Sequence, residues 1–161
     1  MNKKNAEETF IGPDARAMVG AETPWGMPFE VEKGAVLRFA RSIGDKNPLY
    51  IDEVYARAIP PGRIPVPEAS GFFDFNMESG HEREITWRIP LPLVKRVRVK
   101  DEYEMLRPIY VGDAIQARSR VLDIYEKEGR TGRIIFILAE TEYRNQNGAV
   151  VMRHRITSVR R

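Results

Sequence analysis

The stretch Val36-Leu37-Arg38-Phe39-Ala40-Arg41-Ser42-Ile43-Gly44-Asp45-Lys46-Asn47-Pro48-Leu49-Tyr50-Ile51-Asp52 decides how this chain of 161 residues is read. Val36, Phe39, Ala40 and Ile43 fall at i, i+3, i+4 and i+7, one stripe of an amphipathic helix, while Arg38, Arg41 and Ser42 face away. Gly44 stands where helices commonly end in a left-handed residue, so Asp45 emerges at the helix terminus. Asn47-Pro48 makes a tight turn, and Asp52 is placed to cap a second short helix through about Ala58.

Outward from this loop the pattern changes twice. The first ten residues are charged and poor in apolar groups, so a disordered tail over 1–10 and a domain over 11–161 are expected. Ile11 to Pro28 is rich in Gly and Pro, with Met18, Val19 and Trp25 as anchors; it predicts a short helical turn and an irregular wrap. Phe29 and Val31 alternate with Glu30 and Glu32 as a first strand would. Beyond the loop, Pro60, Pro61, Pro65 and Pro67 forbid regular structure until a third helix, whose first turn accommodates Pro67. Its apolar stripe is Ala69, Phe72, Phe73 and Met77, and Gly80 closes it.

From there the period is two. Val97, Val99, Tyr103 and Met105 alternate with Arg96, Arg98, Lys100, Glu102 and Glu104. Runs over Ala114–Glu126, Ile134–Tyr143 and Ala149–Val159 follow, the last two joined by the Asn147-Gly148 hairpin signal. Short turns make antiparallel neighbours. One buried helix ahead of a long meander predicts an α+β fold in a single domain.

Composition removes several functions. With no cysteine, disulfides, thiolate zinc sites and a cysteine nucleophile are excluded. No run reaches the roughly 18 apolar residues of a membrane span, and no secretory h-region follows Met1, so the cytoplasm is the expected location. A net charge of +3 is too small to argue for nucleic acid without a motif. The two histidines, His81 and His154, lie far apart and make no recognisable metal site. His81 reads as solvated, and His154 as a satisfied strand residue in phase with Met152 and Ile156. Ser42, Ser70 and Ser79 lack a nucleophile-elbow context. Arg153, Arg155, Arg160 and Arg161 cluster near the C-terminus; a solvated strand face explains them most simply, and phosphate groups or an acidic carrier protein suit such a surface too.

Three stretches carry a family resemblance: Phe39 to Tyr50, Arg107-Pro108-Ile109-Tyr110-Val111-Gly112-Asp113, and Val121 to Gly132. Together with the strand spacing they make residues 27 to 161 resemble the MaoC-like hydratases and dehydratases, most closely the N-terminal non-catalytic half or substrate-binding subunit of (3R)-hydroxyacyl dehydratases. The resemblance implies a hot-dog fold, an antiparallel sheet wrapped around a central helix. In catalytic members the loop runs Asp-x-Asn-Pro-Leu-His-x-Asp, and its Asp and His hold a water and move protons at the α and β carbons of an enoyl thioester. That chemistry needs a base with a pKa near the working pH.

Here Asp45 matches the aspartate, and Tyr50 stands in the histidine place. A phenol titrates near pH 10, so it does not serve as the base at neutrality, though it can donate a hydrogen bond or act as an acid. By the resemblance, Asp45 and Tyr50 are the catalytic positions, vestigial or acidic in role, and Asn47, Pro67, Phe72 and Phe73 the substrate-binding ones. The implied substrate is an acyl-CoA or acyl-carrier-protein thioester, with no further cofactor and no metal. A partner hot-dog subunit would supply the Asp/His pair. Two alternatives stand beside this: a self-sufficient hydratase or thioesterase using Asp45, and a non-catalytic acyl-binding homodimer.

Overall fold

The computed structural model describes residues 9–68, 85–92, 95–130 and 132–161. The expected third helix, with Phe72, Phe73 and His81, lies outside these described residues. Among the described residues, five strands form one antiparallel sheet: β1 (Phe29–Glu30), β2 (Arg96–Met105), β3 (Ala114–Gly129), β4 (Gly132–Arg144) and β5 (Val150–Arg160), in the order β1-β3-β4-β5-β2. Among the described residues, helices α1 (Pro13–Ala17), α2 (Lys33–Ser42), α3 (Pro48–Ile51) and α4 (Glu53–Ala58) precede the long strands, and residues 85–87 are also helical. This is the α+β architecture expected from the change of period.

Cross-strand register explains the inner face. Ala117, Tyr143, Met152 and Met105 form one row across β3, β4, β5 and β2; Ser119, Thr141, His154 and Tyr103 form the next; Val121, Ala139, Ile156 and Asp101 form a third. The first row belongs to a core cluster that also holds Val31, Val36, Ala56, Ile64 and Ile109. The third borders a second cluster of Ile11, Ala15, Ile85, Ile135 and Ile137. Between them the middle row is polar yet satisfied: the Ser119 and Thr141 hydroxyls are 2.8 Å apart, and the Tyr103 and His154 rings stack at 4.0 Å.

The opposite face is a charge ladder. Glu140 is buried between Arg120 and Arg155, each with a nitrogen 2.7 Å from its carboxylate. One register step away, Glu142 lies 3.6 Å from both Arg118 and Arg153. Opposite charges directly across neighbouring strands add to pairing strength and oppose a slip of register. Burial works against ionisation of Glu140, but hydrogen bonds from Arg155 and Arg120 outweigh it and hold the carboxyl below the usual range.

The segment before α2 covers one side of the sheet. Gly20, Thr23 and Gly26 donate their N–H groups to the carbonyls of Val121, Ser119 and Ala117, so the wrap runs along the edge of β3. Trp25 lies with the Arg144 guanidinium 3.8 Å and the Arg118 guanidinium 4.8 Å from its ring centre. Thr9, expected in a disordered tail, instead donates its hydroxyl to Glu126 at 2.8 Å. At the other edge, no strand among the described residues pairs with the outer side of β2.

Two expectations of the apolar pattern fail for local reasons. Ile43 is 50% exposed because it is the C-cap of α2 (φ −92°, ψ 3°), so the helical stripe ends with Ala40. Val97 and Val99 are exposed as well, since a bulge between Arg98 and Lys100 breaks the alternation of β2.

Candidate functional site

The loop after α2 is built by successive caps. Gly44 takes φ +71°, and Asp45 N–H reaches back to the Ala40 carbonyl at 2.9 Å, closing the helix end. Asp45 Oδ1 accepts from Asn47 N–H at 2.9 Å, and Asn47 Oδ1 accepts from Leu49 N–H at 3.0 Å, capping α3. Asp52 Oδ1 accepts from Val54 and Tyr55 N–H groups and caps α4, as its position predicts. Each short polar side chain therefore turns the chain once, and α3 delivers Leu49 and Tyr50 to the wall of a cavity.

That cavity, about 350 Å³, lies among three segments: Leu49 and Tyr50, residues 59–68, and residues 105–110. A volume of this size accommodates a small ligand. Two of its walls are joined by backbone bonds, Val66 N–H to Ile109 O at 2.8 Å and Val111 N–H to Ile64 O at 2.9 Å. The turn Gly112-Asp113 locks them. Asp113 is buried, and its carboxylate accepts from the Arg63 guanidinium at 2.8 Å, Tyr110 N–H at 2.9 Å and Gln146 Nε2 at 3.1 Å. Burial opposes ionisation here too, and the Arg63, Tyr110 and Gln146 hydrogen bonds overcome it to keep the carboxyl below its ordinary value. Held this way, Arg63 lies 4.9 Å from the centre of the Tyr110 ring at the cavity edge.

Of the residues singled out in the sequence, Tyr50 lines the cavity; Asp45, Asn47 and Pro67 do not. Asp45 and Asn47 serve the turn itself, and Pro67 is buried behind the lining. Phe72 and Phe73 fall outside the described residues. Among the described residues, Arg63, Glu68, Arg107 and Tyr110 join Tyr50 as ionisable lining groups. The Arg107 to Asp113 stretch signals a turn in sequence, but only its antiparallel contact with Ile64–Val66 turns it into a wall. Burial first, then the nearby charges of Asp45 and Glu68, push the Tyr50 phenol above its ordinary value. Among the described residues no imidazole lines the cavity, and none of the described lining groups is of a type that ordinarily titrates near neutrality. The surroundings can bind and orient a polar ligand with a short apolar part. Among the described residues no group of His, Asp and Glu is arranged to hold a metal ion, and no helix is long and apolar enough to cross a membrane.

A curled antiparallel meander behind a capped Asp-x-Asn-Pro-Leu loop defines the hot-dog class, in which MaoC-like dehydratases are the structural neighbours. The model of the FAS1-like dehydratase domain region matches residues 17–154, and the chain belongs to that family. Among solved structures, the C-terminally truncated HadBC (3R-hydroxyacyl-ACP dehydratase) complex from Mycobacterium tuberculosis superposes with a TM-score of 0.73 at 18% identity, covering 88% of this chain and 96% of that one. A MaoC-like dehydratase superposes with a TM-score of 0.75 at 19% identity over 91% of this chain, which spans 43% of its length. The ChsH1–ChsH2 complex from Mycobacterium tuberculosis gives a TM-score of 0.69 at 18% identity, covering 91% and 90%. No curated protein sequence matches the chain.

Proposed function

We propose that the chain binds an acyl thioester, of coenzyme A or an acyl carrier protein, in the cavity beside Tyr50. It acts as the degenerate subunit of an (R)-specific enoyl-thioester hydratase or 3-hydroxyacyl dehydratase, and a companion hot-dog subunit supplies the Asp/His pair. One observation carries this reading: a phenol, pushed further from neutrality by burial and two carboxylates, stands on the cavity wall where the chemistry requires an imidazole base. In support, the similar HadBC and ChsH1–ChsH2 structures are both complexes. The outer edge of β2 also suits a partner sheet, because the wrap already occupies the edge of β3.

The test is hydration of crotonyl-CoA by the isolated chain, the chain plus a catalytic hot-dog subunit, and a Tyr50→His variant. Turnover is expected only with the partner, or weakly in the variant. Ordinary enzymatic turnover by the isolated wild-type chain, on the order of 1–1,000 per second and lost in Asp45→Ala, would overturn the proposal.

A second reading is favoured by the charge order of β2. Arg96, Arg98 and Lys100 occupy its first half and Asp101, Glu102 and Glu104 its second, so two copies paired antiparallel set basic against acidic halves. An acyl-binding homodimer follows. Sedimentation of the pure chain distinguishes it: a salt-sensitive dimer supports this arrangement, and a monomer at all ionic strengths rejects it.

A further inference from the structure

The C-terminal arginines divide into two kinds. Arg153 and Arg155 stand on the charge ladder in contact with carboxylates. Arg160, expected on a solvated face, is instead only 6% exposed. Its neighbours across the sheet are Ile135 on one side and Arg96, a second cation, on the other. Like charges directly opposite on neighbouring strands repel. Beyond Ile135 in the same row, Glu126 is already engaged with Thr9, Ile11 N–H and Arg133.

The guanidinium is left incompletely satisfied. Its Nη2 donates to the Thr86 carbonyl at 2.8 Å, while its buried Nε has no hydrogen-bond partner. Among the described residues no carboxylate pairs with it. Trp87, 59% exposed, has its ring centre 5.8 Å from both the Arg96 and the Arg160 guanidinium carbon. A buried donor left over, beside a repelling cation, is the arrangement an oxyanion satisfies. Guanidinium forks match phosphate oxygens, and arginine binds them in pairs of parallel hydrogen bonds.

We propose that the corner formed by Arg96, Arg160 and Trp87 is a binding site for a phosphate-class oxyanion. It sits at the opposite end of β2 from Met105, about 30 Å along the strand, and so does not depend on the thioester reading of the Tyr50 cavity. The phosphate is either the free ion or a phosphomonoester, whose organic part has the exposed face of Trp87 to lie on.

The experiment is calorimetric titration of the full chain with inorganic phosphate and with phenyl phosphate, at constant ionic strength in chloride. Saturable phosphate binding is expected, weakened at least tenfold in Arg96→Gln and in Arg160→Gln. Because Arg160→Gln changes a buried position, Arg96→Gln is the deciding variant, and its melting temperature in chloride is checked for an intact fold. Phenyl phosphate binding tenfold tighter than phosphate, with the gain lost in Trp87→Ala, assigns the site to esters; equal affinities assign it to the free ion. Binding no stronger than that of chloride, or equal in wild type and Arg96→Gln, would overturn the proposal.

Discussion

His154 Nε2 lies 2.8 Å from Asp101 Oδ1, joining the buried inner face of β5 to the edge strand β2 across 53 residues of sequence. A protonated Nε2 donates to this carboxylate oxygen, Arg98 Nε donates to the same oxygen at 2.6 Å, and Arg98 Nη2 lies 3.1 Å from Nε2, so the tautomer of His154 sets which of its two contacts is a hydrogen bond. The carboxylate thus meets Arg98 and His154 together at the bulge where β2 loses its alternation. Burial disfavours the Asp101 charge, yet the Arg98 and His154 hydrogen bonds prevail and its carboxyl stays below the ordinary value.

Replacing His154 by Phe keeps the ring stack on Tyr103 and removes this tie. A loss of about 1–2 kcal/mol is expected, the worth of a hydrogen bond to a charged group that water partly replaces. Hydrogen exchange should show faster amide exchange in residues 96–105 than in β4. Uniform protection in both strands would show that the tie does not hold the edge.

Glu140→Gln tests the charge ladder. Removing one partner from a buried pair costs about 3–5 kcal/mol, but Arg120 and Arg155 keep half their surface in water, so about 1–2 kcal/mol is expected here. Urea unfolding of wild type and variant measures it.

The same carboxylate predicts a pH dependence. Its folded pKa is depressed, so its contribution is fully present above the unfolded value near 4.5 and is lost as pH falls through the lower folded value. Stability of wild type should fall below about pH 4.5 more steeply than that of Glu140→Gln, with the two curves converging in acid. Parallel curves from pH 7 to pH 3 would refute the depression.

At the cavity, Asp113→Ala leaves three donors without their acceptor. Each buried donor costs about 1–3 kcal/mol, though Arg63 can turn to water, so a total near 2–3 kcal/mol is expected. Thermal unfolding gives the loss, and the acyl-CoA binding proposed for the cavity should weaken with it because Arg63 and Tyr110 lose their positions. Unchanged affinity at reduced stability would separate the turn from the site.

Gly44→Ala places a Cβ on a left-handed residue at φ +71° with nothing within 4 Å to obstruct it. The cost is conformational, about 1–2 kcal/mol, and the cavity beside Tyr50, together with the acyl-thioester binding proposed for it, should survive. A variant as stable as wild type would mean that the helix end relaxes elsewhere.

Much of the fold was legible because it depends on neighbours in sequence. The α2 stripe, the glycine at its end, the Asn47 and Asp52 caps and the turn at Asn147-Gly148 all rest on contacts a few residues long. Ile43, Val97 and Val99 depart from the apolar pattern for the converse reason. A periodic pattern does not reveal where a helix cap or a bulge breaks the period.

Sequence by itself determined the order of helix, acidic loop and meander, and that a phenol occupies residue 50. Local sterics, capping and side-chain chemistry act through the covalent chain and need no distant partner. Only tertiary structure decided that residues 105–110 face Tyr50 across a cavity and that Arg160 lies buried opposite Arg96. Those outcomes come from strand register and from burial, which bring together groups separated by tens of residues.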